Sequence, residues 1–171
     1  MKEMYFSTYK GYYNTGDSGY FDKDGYLYIM TRTGDIINVA GHRLSTGGIE
    51  EALSGHNEVA ECAVIGMNDA VKGQVPLGLI VLSSQTSNDE ETIVKQCIQR
   101  VRDIVGPVAA FNQVVVVERL PKTRSGKILR RILQSIANEE PWNPPATTED
   151  PSVFPEIEAR MRRAGLVHKT L

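Results

Sequence analysis

With 171 residues, 41% of them apolar and 23% charged, the chain is long enough for one domain with its own core, or a small domain with a flanking piece. A formal net charge of −2 gives it no overall electrostatic bias toward nucleic acid or anionic lipid. The two cysteines, Cys62 and Cys97, are too few for a disulfide framework and lack the spacing of a metal site, so both are expected to act as small hydrophobes in a reducing compartment.

The opening Met1-Lys2-Glu3-Met4-Tyr5-Phe6 lacks the apolar core of a signal peptide. Tyr20-Phe21 and Tyr26-Leu27-Tyr28-Ile29 flank Asp22-Lys23-Asp24-Gly25, which predicts strand, turn and strand with Asp-Gly in the turn. Ile36-Ile37-Asn38-Val39 predicts a short strand running into Gly41-His42-Arg43. Gly47-Gly48 opens a short helix whose Ile49, Ala52 and Leu53 share a face. Stretches 59–67 and 77–82 predict two buried strands, with Lys72-Gly73-Gln74 in the loop between them. Ser87 and Glu90 predict a capping box at the head of a helix with Ile93, Val94, Cys97, Ile98, Val101, Ile104 and Val105 at helical spacing. Gly106-Pro107 stops that helix. Stretch 114–117 predicts another buried strand, and Ile128, Leu129, Ile132, Leu133 and Ile136 mark a last core helix. Pro141, Pro144 and Pro145 then break the chain before a short helix with Phe154, Ile157 and Met161 on one side. The order is that of a compact α+β domain. No stretch reaches the roughly 18 apolar residues a membrane helix needs, and the final Lys169-Thr170-Leu171 is a poor match to a peroxisomal address.

Three stretches carry candidate chemistry. Leu120-Pro121-Lys122-Thr123-Arg124-Ser125-Gly126-Lys127 tempts a phosphate-loop reading, but that motif needs glycine where Pro121 stands and Ser or Thr where Ile128 stands. What remains is a basic loop of small residues whose Lys127, placed at a helix start, can reach a phosphate or carboxylate as a point charge. Lys122, Arg124, Lys127, Arg130 and Arg131 cluster here, yet no aromatic residue is interleaved for base stacking, which argues against nucleic-acid binding. In Thr15-Gly16-Asp17, the carboxylate ahead of the hairpin could accept hydrogen bonds from two adjacent sugar hydroxyls. In the 32–43 stretch, Arg32 and Arg43 suit phosphate contacts and Gly41 permits close ligand approach. Taken singly, each is more often a turn aspartate, a solvated basic surface or plain structure than a site.

In their order and separation, these three motifs together closely resemble the adenylate-forming acyl-CoA synthetases, over nearly the whole chain. The resemblance implies a small C-terminal lid domain with a central, mostly antiparallel sheet flanked by helices, preceded by a hairpin from the end of the larger domain. It divides the chain into 1–33, the end of the N-terminal adenylation domain; 34–138, the lid; and 139–171, a proline-rich linker and short C-terminal helix. In such enzymes a carboxylate first attacks the α-phosphate of ATP, giving an acyl-adenylate and pyrophosphate. The lid then swings, and the thiol of coenzyme A displaces AMP.

By this resemblance Lys127 is the catalytic lysine of adenylation, with Asp17, Arg32 and Arg43 binding the nucleotide. Gly41 lets the pantetheine arm pass and Arg102 contacts the coenzyme A nucleotide. Gly34 and Asp35 form the hinge, where glycine replaces the family's usual acidic residue or lysine. The expected ligands are ATP or AMP, coenzyme A and a short-chain carboxylate, with Mg2+ held mainly by the N-terminal domain and no metal ligand in this chain. Ile49-Glu50-Glu51, Gly106-Pro107-Val108-Ala109-Ala110-Phe111 and Glu149-Asp150-Pro151 look most like propionyl-CoA synthetases, with acetyl-CoA synthetases close behind. The expected partner is the N-terminal adenylation domain, without which the fragment should not turn over; no nucleic acid or membrane is expected. A lysine acetylase or deacetylase acting on Lys127 is a further expected partner, and the compartment is the mitochondrial matrix or the cytoplasm. The rival class is a binding module that has kept the fold and lost catalysis.

Overall fold

The computed structural model describes residues 6, 7 and 9–168, the side chains of Met30 and Thr31 excepted. The expectations placed on residues 1–5 and on Lys169-Thr170-Leu171 fall outside the described residues. The chain divides into two compact units, Met1–Ile36 and Ile37–Leu171.

The first unit contains an antiparallel hairpin of β1 (Asp17–Phe21) and β2 (Leu27–Arg32). Its turn forms because the Asp22 carboxylate accepts the amides of Asp24 and Tyr26, both at 2.9 Å. Tyr20 and Tyr28 face each other in the register and stack, with ring centroids 5.2 Å apart. A short 3-10 turn, Thr33–Asp35, follows.

The second unit is built on a mixed five-stranded sheet. Strands β3 (Ile36–Val39), β4 (His42–Ser45), β5 (Val59–Asp69), β6 (Gly73–Leu82) and β7 (Gln113–Val116) lie in the order β4-β3-β6-β5. β7 runs parallel to β6, whereas β3 and β5 pair with β6 antiparallel. The helices are α1 (Thr46–Ser54), α2 (Glu90–Ile104), α3 (Arg130–Ala137) and α4 (Val153–Arg163). None of them is long and apolar enough to cross a membrane.

Alternation along the strands decides what each helix covers. Ala63, Ile65, Leu77, Leu79, Val115 and Val117 point to one face, where α3 and α4 bury Leu133, Ile136, Phe154, Ile157 and Met161. Val64, Ile80 and Val116 point to the other, where α1 and α2 bury Ile49, Leu53, Ile93, Cys97 and Val101. Because both faces are covered, the strands read in sequence as continuous apolar runs. Cys97 is fully buried, and burial pushes its thiol up to about 11. Cys62, half-buried, is likewise raised by burial and bonds the Glu50 carbonyl at 3.4 Å.

Several local expectations are corrected. β4 replaces an expected irregular segment, since Ala40-Gly41 forms a two-residue turn with φ of 49° and 88°. The loop between β5 and β6 shrinks because Gly73 and Gln74 already belong to β6. The capping box does not form. Asp89 caps α2 by accepting the Thr92 amide at 2.9 Å, while Ser87 is drawn to Glu58. α3 starts at Arg130, so Lys127 precedes the helix rather than opening it.

Two carboxylate clusters fasten the periphery. Glu58, only 8% exposed, accepts the side-chain amide of Asn88 at 2.8 Å, the backbone amides of Ser87 and Asn88, and the Ser87 hydroxyl at 2.9 Å. These donors, the Asn88 side chain foremost, hold its carboxyl down at about 2. Arg119 ties the start of α4 to the sheet through Asp150, Ser152 and Glu156. The backbone amide of Ser152, then the Arg119 guanidinium, hold Asp150 at about 2.

Two outcomes follow for the 171-residue chain. A depressed carboxyl stabilises the fold above its ordinary value of about 4.3, and that contribution is lost as pH falls from there toward the folded value. Glu58→Gln should therefore lower the urea midpoint near pH 7 and flatten its fall between about pH 4.3 and 2; midpoints matching wild type throughout would contradict this. Phe154, 1% exposed and packed on Trp142 with ring centroids 4.9 Å apart, belongs to the core. Phe154→Ala should cost about 3–5 kcal/mol in urea unfolding.

Candidate functional site

The loop that carries Lys127 is closed by its own backbone. The Thr123 amide donates to the Lys127 carbonyl at 2.8 Å, and the Lys127 amide donates to the Thr123 hydroxyl at 3.1 Å. Gly126 donates to the Thr123 carbonyl at 2.8 Å, and Leu129 to Pro121 at 2.9 Å. From outside, Arg124 donates to the Thr147 carbonyl at 3.0 Å and Glu149 to the Lys122 carbonyl at 2.9 Å. The loop is thus positioned by the segment that leads into α4. Of the basic cluster, Lys122 pairs with Glu61 at 2.7 Å and Arg130 with Glu50 at 2.9 Å. The Lys127 side chain is exposed and has no hydrogen-bond or ion-pair partner among the described residues. An ammonium held this way can meet an incoming anion without first breaking a protein contact.

The Glu50–Arg130 pair is bidentate, and the same Glu50 carboxylate accepts the Val64 amide at 2.8 Å. It joins the first residue of α3, just after the Lys127 loop, to α1, which begins just after Arg43. With side-chain exposures of 29% and 17% the pair is shielded enough to hold a geometry better than an open surface pair would. Arg43 lies exposed on β4, without a side-chain partner among the described residues. It precedes Ser45, whose hydroxyl caps α1 by accepting the Gly47 amide at 3.2 Å.

Gly41 sits in the β3–β4 turn, where a Cβ would meet nothing within 4 Å, so its φ of +88° rather than crowding explains the glycine. That turn is held against the β5–β6 turn, with the Ala40 amide donating to the Lys72 carbonyl at 2.7 Å. Lys72 in turn lines a groove of about 180 Å³ together with Arg102, Phe111 and Ala110. Lys72 thus bonds the turn that holds Gly41 and lines one groove with Arg102, two residues predicted separately.

In the first unit Asp17 and Arg32 meet across the β1–β2 register, with Arg32 Nε 3.2 Å from the Asp17 carboxylate. The Gly16 carbonyl accepts the Thr33 amide at 2.7 Å and the Thr33 hydroxyl at 3.0 Å, fixing the strand ends on which the pair stands. Gly34 and Asp35 form the 3-10 turn just ahead of the point where the two units divide. A Cβ at Gly34 would meet nothing within 4 Å. No group of three or more His, Cys, Asp or Glu that could hold a metal ion occurs among the described residues.

Sequence reasoning missed Lys72 as part of this region, and the contact of Glu50 with Arg130. Lys72 was legible only as a loop residue. Glu50 and Arg130 are 80 residues apart, and nothing in either local pattern signals their contact.

Residues 48–127 match the AMP-binding enzyme C-terminal domain. Over 163 residues, 95% of this chain, the sequence is 49% identical to the human acyl-CoA synthetase short-chain family member 3, mitochondrial, of which the match covers 24%. It is 46% identical over 165 residues, again 95% of this chain, to acetyl-coenzyme A synthetase of Bdellovibrio bacteriovorus, covering 25% of that protein. Among solved structures, the acyl-CoA synthetase of Brucella canis matches with a TM-score of 0.56 and 32% identity, over 74% of this chain and 23% of that one. The chain spans about a quarter of the length of the curated relatives it matches. With the α+β fold in place around its basic loop, the chain carries the AMP-binding enzyme C-terminal domain and is similar over 95% of its length to acyl-CoA synthetases.

Proposed function

We propose that this chain is the C-terminal part of a short-chain carboxylic acid–CoA ligase that makes propionyl-CoA, AMP and pyrophosphate from propionate, ATP and coenzyme A. The observation that carries the reading is Lys127, exposed and unpaired on a loop whose backbone is fixed. ATP supplies the activated phosphorus and coenzyme A the thiol; the rest is the work of this chain's residues. Lys127 places positive charge between the acid and the α-phosphate, where negative charge develops during adenylation. Asp17, steadied by Arg32, accepts the ribose hydroxyls, and Arg43 contacts phosphate in the same half-reaction. In the second half-reaction Gly41 leaves room for the pantetheine arm and Arg102 holds the nucleotide of coenzyme A. We assign Mg2+ mainly to the N-terminal domain.

The partner in this reading is the N-terminal adenylation domain, without which the fragment does not turn over. The hairpin supports this: Phe21 is 71% and Ile29 59% exposed, an apolar surface suited to cover by further protein. Residues 1–33 then end that domain, 34–138 form the lid and 139–171 follow as linker and helix. The exposure of Lys127 makes it accessible to a lysine acetylase or deacetylase, and neutralising its charge would stop adenylation. The proposed location is the mitochondrial matrix or the cytoplasm, the first supported by the word mitochondrial in the human relative's name. Acetate is the second reading for the acid, favoured by the Bdellovibrio relative's name.

The test uses the full-length protein with propionate, acetate and butyrate in turn. Lys127→Ala should slow ATP-dependent pyrophosphate release by about 10²–10³-fold while thioester formation from preformed acyl-adenylate continues. Equal rates in wild type and variant would make Lys127 a surface lysine. A wild-type protein that binds coenzyme A yet turns over none of the acids would be the non-catalytic module. At the hinge, Gly34→Asp should alter the ratio of the two half-reaction rates, because glycine holds neither lid position firmly. Unchanged rates in both would sink that assignment.

A further inference from the structure

Two of the residues assigned to coenzyme A sit on separate elements, Gly41 in the β3–β4 turn and Arg102 in the last turn of α2. Lys72 lies between them. Its carbonyl receives the Ala40 amide at 2.7 Å, so its backbone is locked to the Gly41 turn. Its side chain lines the groove that Arg102 also lines, against Phe111, Ala110 and Pro107. The charged residues of that groove are both cations, and neither has an ion-pair or side-chain hydrogen-bond partner among the described residues. The nearby carboxylate of Asp69 accepts the amides of Lys72 at 2.7 Å and Val71 at 2.9 Å. Those amides, and in smaller part the Lys72 ammonium, hold Asp69 below the usual carboxylate range, without an ion pair to the ammonium.

Two cations that line one partly apolar groove attract an anion carrying more than one phosphate. Coenzyme A has its parts in the matching order: a thiol arm, then a diphosphate, then a nucleotide. We propose that Lys72 is a further coenzyme A-binding residue, whose ammonium contacts the diphosphate that joins the pantetheine arm at Gly41 to the nucleotide at Arg102. This rests on the ligase reading of Gly41 and Arg102 and adds a residue and a chemical group that reading does not contain.

Three thiols in the full-length enzyme separate the possibilities: coenzyme A, dephospho-coenzyme A, which keeps the diphosphate, and pantetheine, which has no phosphate. Lys72→Ala should raise KM about tenfold for the first two, as expected for a lost charge-assisted hydrogen bond, and leave KM for pantetheine at the wild-type value. Lys72→Arg should retain most of the affinity for both phosphorylated thiols. An unchanged KM for coenzyme A overturns the proposal, as does an equal penalty with pantetheine or a penalty confined to the thiol bearing the 3′-phosphate. Arg102→Ala keeps the two levels apart. If it raises KM for coenzyme A and Lys72→Ala does not, only the role of Lys72 falls; if neither does, the coenzyme A reading of the groove falls with it.

Discussion

Strand β6 is the constraint on which the rest of the second unit depends. It pairs with β5 along ten registered positions on one edge, and with β3 and then β7 on the other. Both of its faces are buried, Leu77 and Leu79 toward α3 and α4 and Ile80 toward α1 and α2. A slip of one residue would send every one of these side chains to the wrong layer, so the register is strongly fixed. The residues proposed for coenzyme A hang from the ends and edges of this slab: the Gly41 turn from β3, Lys72 from the entrance to β6, Arg102 from the helix packed across it. Rigid packing in the centre lets exposed residues at the rim keep defined positions.

The charged residues fall into two groups with different work. Glu58, Asp89, Arg119, Asp150 and the Glu50–Arg130 pair are satisfied inside the chain; Asp89 caps its own helix and the others fasten helix ends or loops. Lys127, Arg43, Arg102 and Lys72 have no side-chain partner among the described residues. An unpaired cation on a fixed loop is a poor contributor to stability and a good receiver of anions. The division also explains why a basic run such as 122–131 is not a uniform surface. Two of its members hold the loop in place, and the exposed lysine between them is what the loop presents.

Between the two units lies a short turn rather than a packed element. Gly34 and Asp35 stand ahead of the division after Ile36, with open space where a Cβ at Gly34 would be.

The sequence by itself determined the hairpin, the two-faced strands, the helix stripes and the resemblance to acyl-CoA synthetases, because alternation, helical periodicity and three spaced motifs are all local patterns. It placed Asp17, Arg32, Gly41, Arg43, Arg102 and Lys127 in order along the chain. Only the tertiary structure decided which of these meet. The contact of Asp17 with Arg32 follows from hairpin register, and the approach of Gly41 to Arg102 through Lys72 follows from how two turns and a helix end pack. It also decided competitions that local rules leave open. Asp89 caps α2 instead of Ser87 because a distant carboxylate, Glu58, binds Ser87. Ala40-Gly41 makes a tight turn without the usual Asn or Asp because β3 has a neighbour to pair with on its far edge. Such outcomes depend on partners tens of residues away, and a local pattern carries no information about them.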